Sequence, residues 1–311
     1  MGKRIQKNEG LLKRFTAKPY PPLEQTLFGV SFKSPLGLAA GFDKNIELAP
    51  LMQALGFGFM EGGSVSARPW LGNPCPRLFR LPEDRAIVNR MGLNNQGIQQ
   101  ILPRLQTLPP GFPVGISLVK TPDPAVLDDF AVAYEAVCGL GAYIALNISC
   151  PNTEEGKTFE DPEALDTLLT QLKGQFVLKI SPNLSPIQLE EIFEVGLKHQ
   201  VCGWIATNTM PTPKGGLSGP PLFLRSTEVL GQLYQLCRKQ QVNPVLIGVG
   251  GVMDAESAWE KIIHGASLVE IYTGLIYKGP NLIKEIHAGL LHKLEDHGLS
   301  HIRDAVGLKF L

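Results

Sequence analysis

The chain has 311 residues, of which 44% are hydrophobic and 19% charged; this is enough to bury a sizeable core, and intrinsic disorder is not expected. Twenty-nine basic residues balance twenty-nine acidic ones, so no net field gathers nucleic acid, which is not an expected partner. Cys75, Cys138, Cys150, Cys202 and Cys237 are scattered, with no CxxC pair or metal-ligand spacing, which points to a reducing cytoplasm and no metal site.

Residues 1–18 lack the apolar core of a signal peptide, and no stretch approaches the roughly 18 to 20 apolar residues of a spanning helix. Within them Gly10-Leu11-Leu12-Lys13-Arg14-Phe15 reads either as the remnant of an amphipathic membrane-surface helix or as a packed terminal turn. The expected location is the cytoplasm, with peripheral contact to the cytoplasmic membrane under the first of these readings.

Eight apolar, β-branched runs then follow, at 36–40, 57–62, 113–118, 142–148, 175–180, 202–207, 244–249 and 268–272. Most are continuous rather than alternating, as strands covered on both faces of a parallel sheet are. Helical spacing of apolar residues occupies 123–138, 162–172, 185–199, 226–240, 254–264 and 281–297. Asp161-Pro162 and Ser185-Pro186 each put a capping side chain before a proline suited to the first turn. This alternation predicts an α/β fold, a closed (β/α)8 TIM barrel, with a doubly wound open sheet as the alternative. One barrel domain is expected over residues 27–311, after a short N-terminal segment at 1–26. Two long connections interrupt the pattern, at 70–95 and 210–225, and loops of that size read as lids or substrate-binding elements.

In such a barrel the chemistry gathers where strands end. The strand ends here carry Ala40-Gly41-Phe42-Asp43-Lys44, Gly62-Gly63-Ser64, Ser117, Asn147 to Asn152, Lys179, Thr207-Asn208-Thr209, Gly248 to Gly251 and Tyr272-Thr273. Lys179 sits in the apolar run Val177-Leu178-Lys179-Ile180, and because burying a lone ammonium is costly it is expected to face an anionic ligand. Lys44, beside Asp43, reads equally as a surface ion pair. Gly248-Val249-Gly250-Gly251 after the seventh strand and Tyr272-Thr273-Gly274 after the eighth suit a phosphate, since barrel phosphate sites form at these two loops. No GxGxxG follows a first strand, so a Rossmann site is not supported. Cys150 lies at a strand end between Asn147 and Asn152, whose amides could fix a planar polar ligand. Cys138, Cys202 and Cys237 read as small buried hydrophobes.

In combination, the motifs LGLAAGFDKN, GNPCPRLFRL, NRMGLNNQG, NISCPNT, ATNT, GGLSGPPL, IGVGG and EIYTGLIYKGP resemble the dihydroorotate dehydrogenase family, from about residue 27 to residue 287. The scaffold is most similar to the quinone-linked branch. The resemblance implies an enzyme of pyrimidine synthesis that binds FMN and oxidises dihydroorotate to orotate. It places Ala40, Gly41, Lys44, Ser64 and Ser117 along the flavin, Asn147 and Thr207 near its ring and Lys179 at its N1/O2 edge. Gly219, Gly250, Gly251, Tyr272 and Thr273 fall around the phosphate end. It places Lys44, Asn89, Arg90, Met91, Gly92, Leu93, Asn147, Asn152, Asn208 and Thr209 around orotate, and Cys150 as the base that removes the C5 proton.

Four features depart from the quinone-linked pattern: Cys150 stands where that branch usually has serine, Leu93 where it has phenylalanine, Ser117 where it has a flavin-contacting asparagine, and the connection at 210–214 is short. The acceptor is therefore expected to be quinone or fumarate; NAD would require a second subunit, because no cysteine cluster here could hold an iron–sulfur centre. Two other readings compete, another FMN barrel reductase acting on a pyrimidine-like ring and a non-catalytic flavin-binding barrel. Oligomeric state is not legible from the apolar helix faces.

Overall fold

The computed structural model describes residues 19–121, 129–149 and 159–311. Eight parallel strands close into a barrel in the order β3 (Leu36–Leu38), β4 (Phe59–Val65), β7 (Val114–Leu118), β8 (Tyr143–Asn147), β9 (Val177–Ile180), β10 (Gly203–Ala206), β13 (Val245–Val249) and β14 (Leu268–Ile271). Seven lie within the runs expected from the sequence, β4 starts inside the run 57–62 and continues to Val65, and the doubly wound alternative is excluded. All eight strands are buried at every position or at all but one end residue, which is the cause of their continuous apolar character.

Helices return the chain between strands and cover the barrel. They are α1 (Ala49–Leu55), α2 (Ile98–Leu105), α3 (Asp129–Val137), α4 (Pro162–Thr170), α5 (Pro186–Lys198), α6 (Phe223–Lys239), α7 (Ala255–Ile263), α8 (Thr273–Lys278) and α9 (Asn281–Asp296). The capping chemistry forms as read: Asp161 accepts the Ala164 N–H at 2.9 Å, and Ser185 closes a capping box with Gln188. Asp129 on α3 accepts the N–H of Ala67 at 2.6 Å and that of Thr121 at 2.7 Å, tying the chain just beyond β4 to the chain just beyond β7.

Aromatic rings plug the end of the barrel where the strands begin. The hairpin β1 (Gln25–Leu27) and β2 (Val30–Phe32) brings Phe28 to 5.1 Å from the Tyr143 ring and Phe32 to 5.4 Å from the Phe59 ring. Gly37 and Gly115 make room for these rings, because a Cβ at either position would overlap Phe59 or Tyr143. The interior is thus sealed below and polar above.

The two long connections are not independent loops. They contribute β5 (Leu78–Leu81) and β6 (Ala86–Asn89), and β11 (Met210–Thr212) and β12 (Gly215–Ser218), to one antiparallel sheet of order β11-β12-β6-β5. Gly216 pairs with Asn89 and Ser218 with Ile87, so connections far apart in sequence form one rigid wall.

Candidate active site

A cleft with about 1100 Å³ of empty space, part of it open to solvent, lies between the C-terminal ends of the barrel strands and this wall. It brings together Ala40, Gly41, Lys44, Ser64, Asn147, Lys179, Thr207, Gly219, Gly250, Gly251, Tyr272 and Thr273. Asn89, Met91, Gly92, Leu93, Asn208 and Thr209 line it as well, Asn89 at the end of β6 and the three residues after Arg90 just beyond it. Cys150 and Asn152 lie outside the described residues. Ser117 stands one layer back, fully buried, with its hydroxyl 2.9 Å from that of Ser64. Arg90 turns its guanidinium to the carbonyl of Pro76, at 3.0 and 3.2 Å, and over the Phe79 ring, away from the lining residues.

Backbone and amide bonds fix the polar groups of the cleft. Asn147 donates to Ser64 Oγ at 3.3 Å, and Asn208 donates to Asn147 Oδ1 at 3.2 Å and to the carbonyl of Ser149. The N–H of Thr209 in turn donates to Asn208 Oδ1 at 2.8 Å. Asn89 is held across the antiparallel sheet, donating to the Gly216 carbonyl at 3.4 Å. Asp43 accepts the N–H of Leu48 at 2.6 Å, while Lys44 lines the cleft. Burial raises the Asp43 carboxyl above its ordinary range, more than its backbone hydrogen bonds lower it.

At the far end, Gly219, Gly250 and Gly251 have φ of 103°, 117° and 74°, in the region that favours glycine. A side chain at Gly251 would collide with Phe223, and one at Gly250 with Ser226. The glycines therefore leave backbone amides open to a close-approaching group. Beside them, the hydroxyls of Thr273 and Ser218 lie 2.8 Å apart.

At the floor of the cleft Lys179 is not alone. Its Nζ lies 3.3 Å from Glu61 Oε1 and 3.9 Å from Glu270 Oε2, and the Tyr143 hydroxyl reaches both glutamates. Burial pulls the ammonium down, but the two carboxyl groups outweigh it and hold Lys179 above the ordinary lysine range. The sequence argument expected a ligand anion beside Lys179; the chain supplies carboxyl groups of its own there. Glu61 and Glu270 were not singled out from the sequence, yet each interrupts an apolar strand as Lys179 does, in Phe59-Met60-Glu61 and Leu268-Val269-Glu270.

The other thiols divide. Cys237 is buried and Cys202 partly so, with burial pushing them up to about 12 and about 11. Cys138 is exposed, contrary to its reading as a buried hydrophobe, because it follows the last turn of α3 on the solvent side.

Known proteins resemble this chain in sequence and fold. A family model described as dihydroorotate dehydrogenase matches residues 22–294. A relative in Gloeobacter violaceus named dihydroorotate dehydrogenase (quinone) is 42% identical over 94% of this chain and 87% of its own. One of the same name in Mycobacterium tuberculosis is 39% identical over 96% of this chain and 88% of its own. The DHODH of Eimeria tenella, solved in complex with ferulenol, superposes with a TM-score of 0.87 at 31% identity, covering 94% of this chain and 89% of that one. With the closed barrel and its cleft, these matches establish that the chain belongs to the dihydroorotate dehydrogenase family of oxidoreductases.

Proposed function

We propose that this protein oxidises dihydroorotate to orotate in pyrimidine synthesis, with FMN as its bound cofactor and a quinone as its electron acceptor. The observation that carries the reading is the convergence of Lys179, Asn147, Thr207 and Asn208 with the open glycine backbone of Gly250 and Gly251 in one cleft. A flavin phosphate fits the glycine end, where positive φ and crowded Cβ positions keep side chains away from the amides.

In this reading Ala40, Gly41, Ser64 and Tyr272 lie along the flavin, with Ser117 acting through Ser64. Gly219, Gly250, Gly251 and Thr273 hold its phosphate end. Lys179 faces the N1/O2 edge of the ring, where a cation offsets the negative charge that reduction brings. When bound, the flavin supplies a hydride acceptor for C6 of the substrate.

The remaining work falls to side chains. Lys44, Asn89, Asn147, Asn152, Asn208 and Thr209 offer the donors and acceptors that a carboxylate and two ring amides need, and Met91, Gly92 and Leu93 close over them. Arg90 acts through the fold of this segment, since its guanidinium is spent on Pro76. Cys150 takes the C5 proton on Sγ. Quinone rather than fumarate is supported by the names of the relatives at 42% and 39% identity. No helix among the described residues is long and apolar enough to cross a membrane.

The purified protein is expected to be yellow and to bleach anaerobically on dihydroorotate, then to recolour with a soluble quinone faster than with fumarate or NAD. Colour without bleaching overturns the substrate; faster turnover with fumarate overturns the acceptor.

A further inference from the structure

Inside the barrel, Glu61 on β4, Glu270 on β14 and Lys179 on β9 meet around the Tyr143 hydroxyl of β8, with both glutamate side chains fully buried. Two carboxylates against one ammonium would leave a net negative charge in a dry interior, which is costly unless one carboxyl is protonated. The geometry distinguishes the two. Glu61 is within hydrogen-bond reach of both Lys179, at 3.3 Å, and the Tyr143 hydroxyl, at 3.2 Å. Glu270 Oε2 is 3.9 Å from Lys179, makes no hydrogen bond and is buried, although Glu270 lines the cleft. Tyr143 has a single proton, so its hydroxyl cannot donate to both carboxyl groups at once.

We propose that Glu270 is a neutral carboxylic acid beside the ion pair of Lys179 and Glu61, and that Glu61 and Glu270 are positioning residues setting the net charge presented to the cofactor. This rests on the flavin reading given above. The proton sits on the one glutamate that lacks a cation within hydrogen-bond reach. Burial, followed by the neighbouring Glu61 charge, pushes the Glu270 carboxyl well above its ordinary range, more than Lys179 and Tyr143 lower it. The adjacent strands β3 and β13 add no titratable group, and among the described residues Lys44 and Tyr272 are the other ionisable ones lining the cleft.

With Glu270 neutral, Lys179 and Glu61 cancel, and charge arriving at the ring edge meets no excess anion. Once Glu270 ionises in alkali, the same charge is opposed. The midpoint potential of the bound flavin should therefore bend downward with rising pH at the Glu270 titration, in addition to its ordinary slope.

The test uses the protein as purified, in wild-type, Glu270→Gln, Glu61→Gln and doubly substituted forms. Infrared difference spectra at neutral pH should show a protonated-carboxylic-acid band in wild type that Glu270→Gln lacks. The alkaline bend in potential should vanish in Glu270→Gln. In Glu61→Gln, Glu270 should ionise and take over Lys179, so the infrared band should fall, and the double variant should shift the potential by more than the sum of the single shifts. A band that survives Glu270→Gln, an unchanged bend, or strictly additive shifts overturns the proposal. Absence of FMN, or of bleaching by dihydroorotate, instead counts against the proposed function, and the infrared arm still decides the protonation of Glu270. Should Glu61→Gln fail to fold, Glu270→Gln alone decides by band and bend.

Discussion

Lys261 donates from Nζ to Ser226 Oγ at 2.6 Å, between helices α7 and α6, with its ammonium 5.1 Å from the Phe223 ring and no exposed surface. Ser226 in turn donates to the carbonyl of Gly250 at 3.2 Å, so the pair braces the glycine turn of the cleft from behind. The partner is a hydroxyl, and burial pushes the Lys261 ammonium well below the ordinary lysine range. A lysine depressed in the folded state contributes its full stability only above its unfolded value, and loses it as pH falls toward neutrality. Lys261→Met keeps the volume and removes the buried amine. It should raise the melting temperature at pH 7 while weakening flavin retention, because the brace is lost; calorimetry and a flavin dissociation constant check both halves. A lower melting temperature with unchanged flavin binding would refute this account.

His287 on α9 is buried beneath Tyr20, with ring centroids 4.7 Å apart, and its Nε2 lies 2.9 Å from Ser34 Oγ. Burial lowers it from 6.5 to about 4. Because the folded value is the lower one, the stability it contributes is complete above pH 6.5 and is lost as pH falls toward about 4. The total loss is about 3 kcal/mol, at 1.36 kcal/mol for each pH unit between the two values. Denaturant midpoints between pH 7 and pH 4 should show this decline in wild type and much less of it in His287→Gln.

Gly115 gives its Cβ space to the Tyr143 ring. Gly115→Ala should push that ring upward, disturb its bonds to Glu61 and Glu270, and cost about 1–3 kcal/mol, as overpacking of a full core does. The same change at Gly111, a surface turn with nothing within 4 Å of its Cβ position, would meet only backbone strain from its φ of 70°. Urea melts of the two variants should differ in one respect: only Gly115→Ala should also alter the absorption spectrum of the bound flavin.

The barrel was legible because strands buried on both faces carry no alternation, and each ends in small or polar residues at the same mouth. The wall over the cleft was not. Leu78–Leu81 is mostly exposed, Met210–Thr212 contains Pro211, and Gly215–Ser218 begins with two glycines, so neither apolar pattern nor strand propensity marks these segments. Their pairing joins Gly216 to Asn89 over a separation that no local signal spans. Lys179 stood out as a charge within an apolar strand, and the same test would have found Glu61 and Glu270. Ser117 gave no sign that its hydroxyl meets that of Ser64, because a serine fits either a contact or a buried brace.

The substitution of thiol for hydroxyl at the proposed base can be argued from its anchored neighbour. Ser149, directly before Cys150, donates from Oγ to the Lys179 carbonyl at 3.0 Å, and its own carbonyl receives the Asn208 amide, so the chain is tied to β9 and to Asn208 at that point. For a base in the residue that follows, proton affinity is the quantity that an exchange of thiol and hydroxyl changes. A thiol titrates near pH ~8.5, far closer to neutrality than a serine hydroxyl. Cys150→Ser should therefore slow anaerobic flavin reduction by dihydroorotate and move its pH optimum upward, whereas Cys150→Ala should abolish the alkaline limb of the profile. Stopped-flow reduction across pH distinguishes these outcomes, and an unchanged rate and optimum in Cys150→Ser would assign the C5 proton to another group.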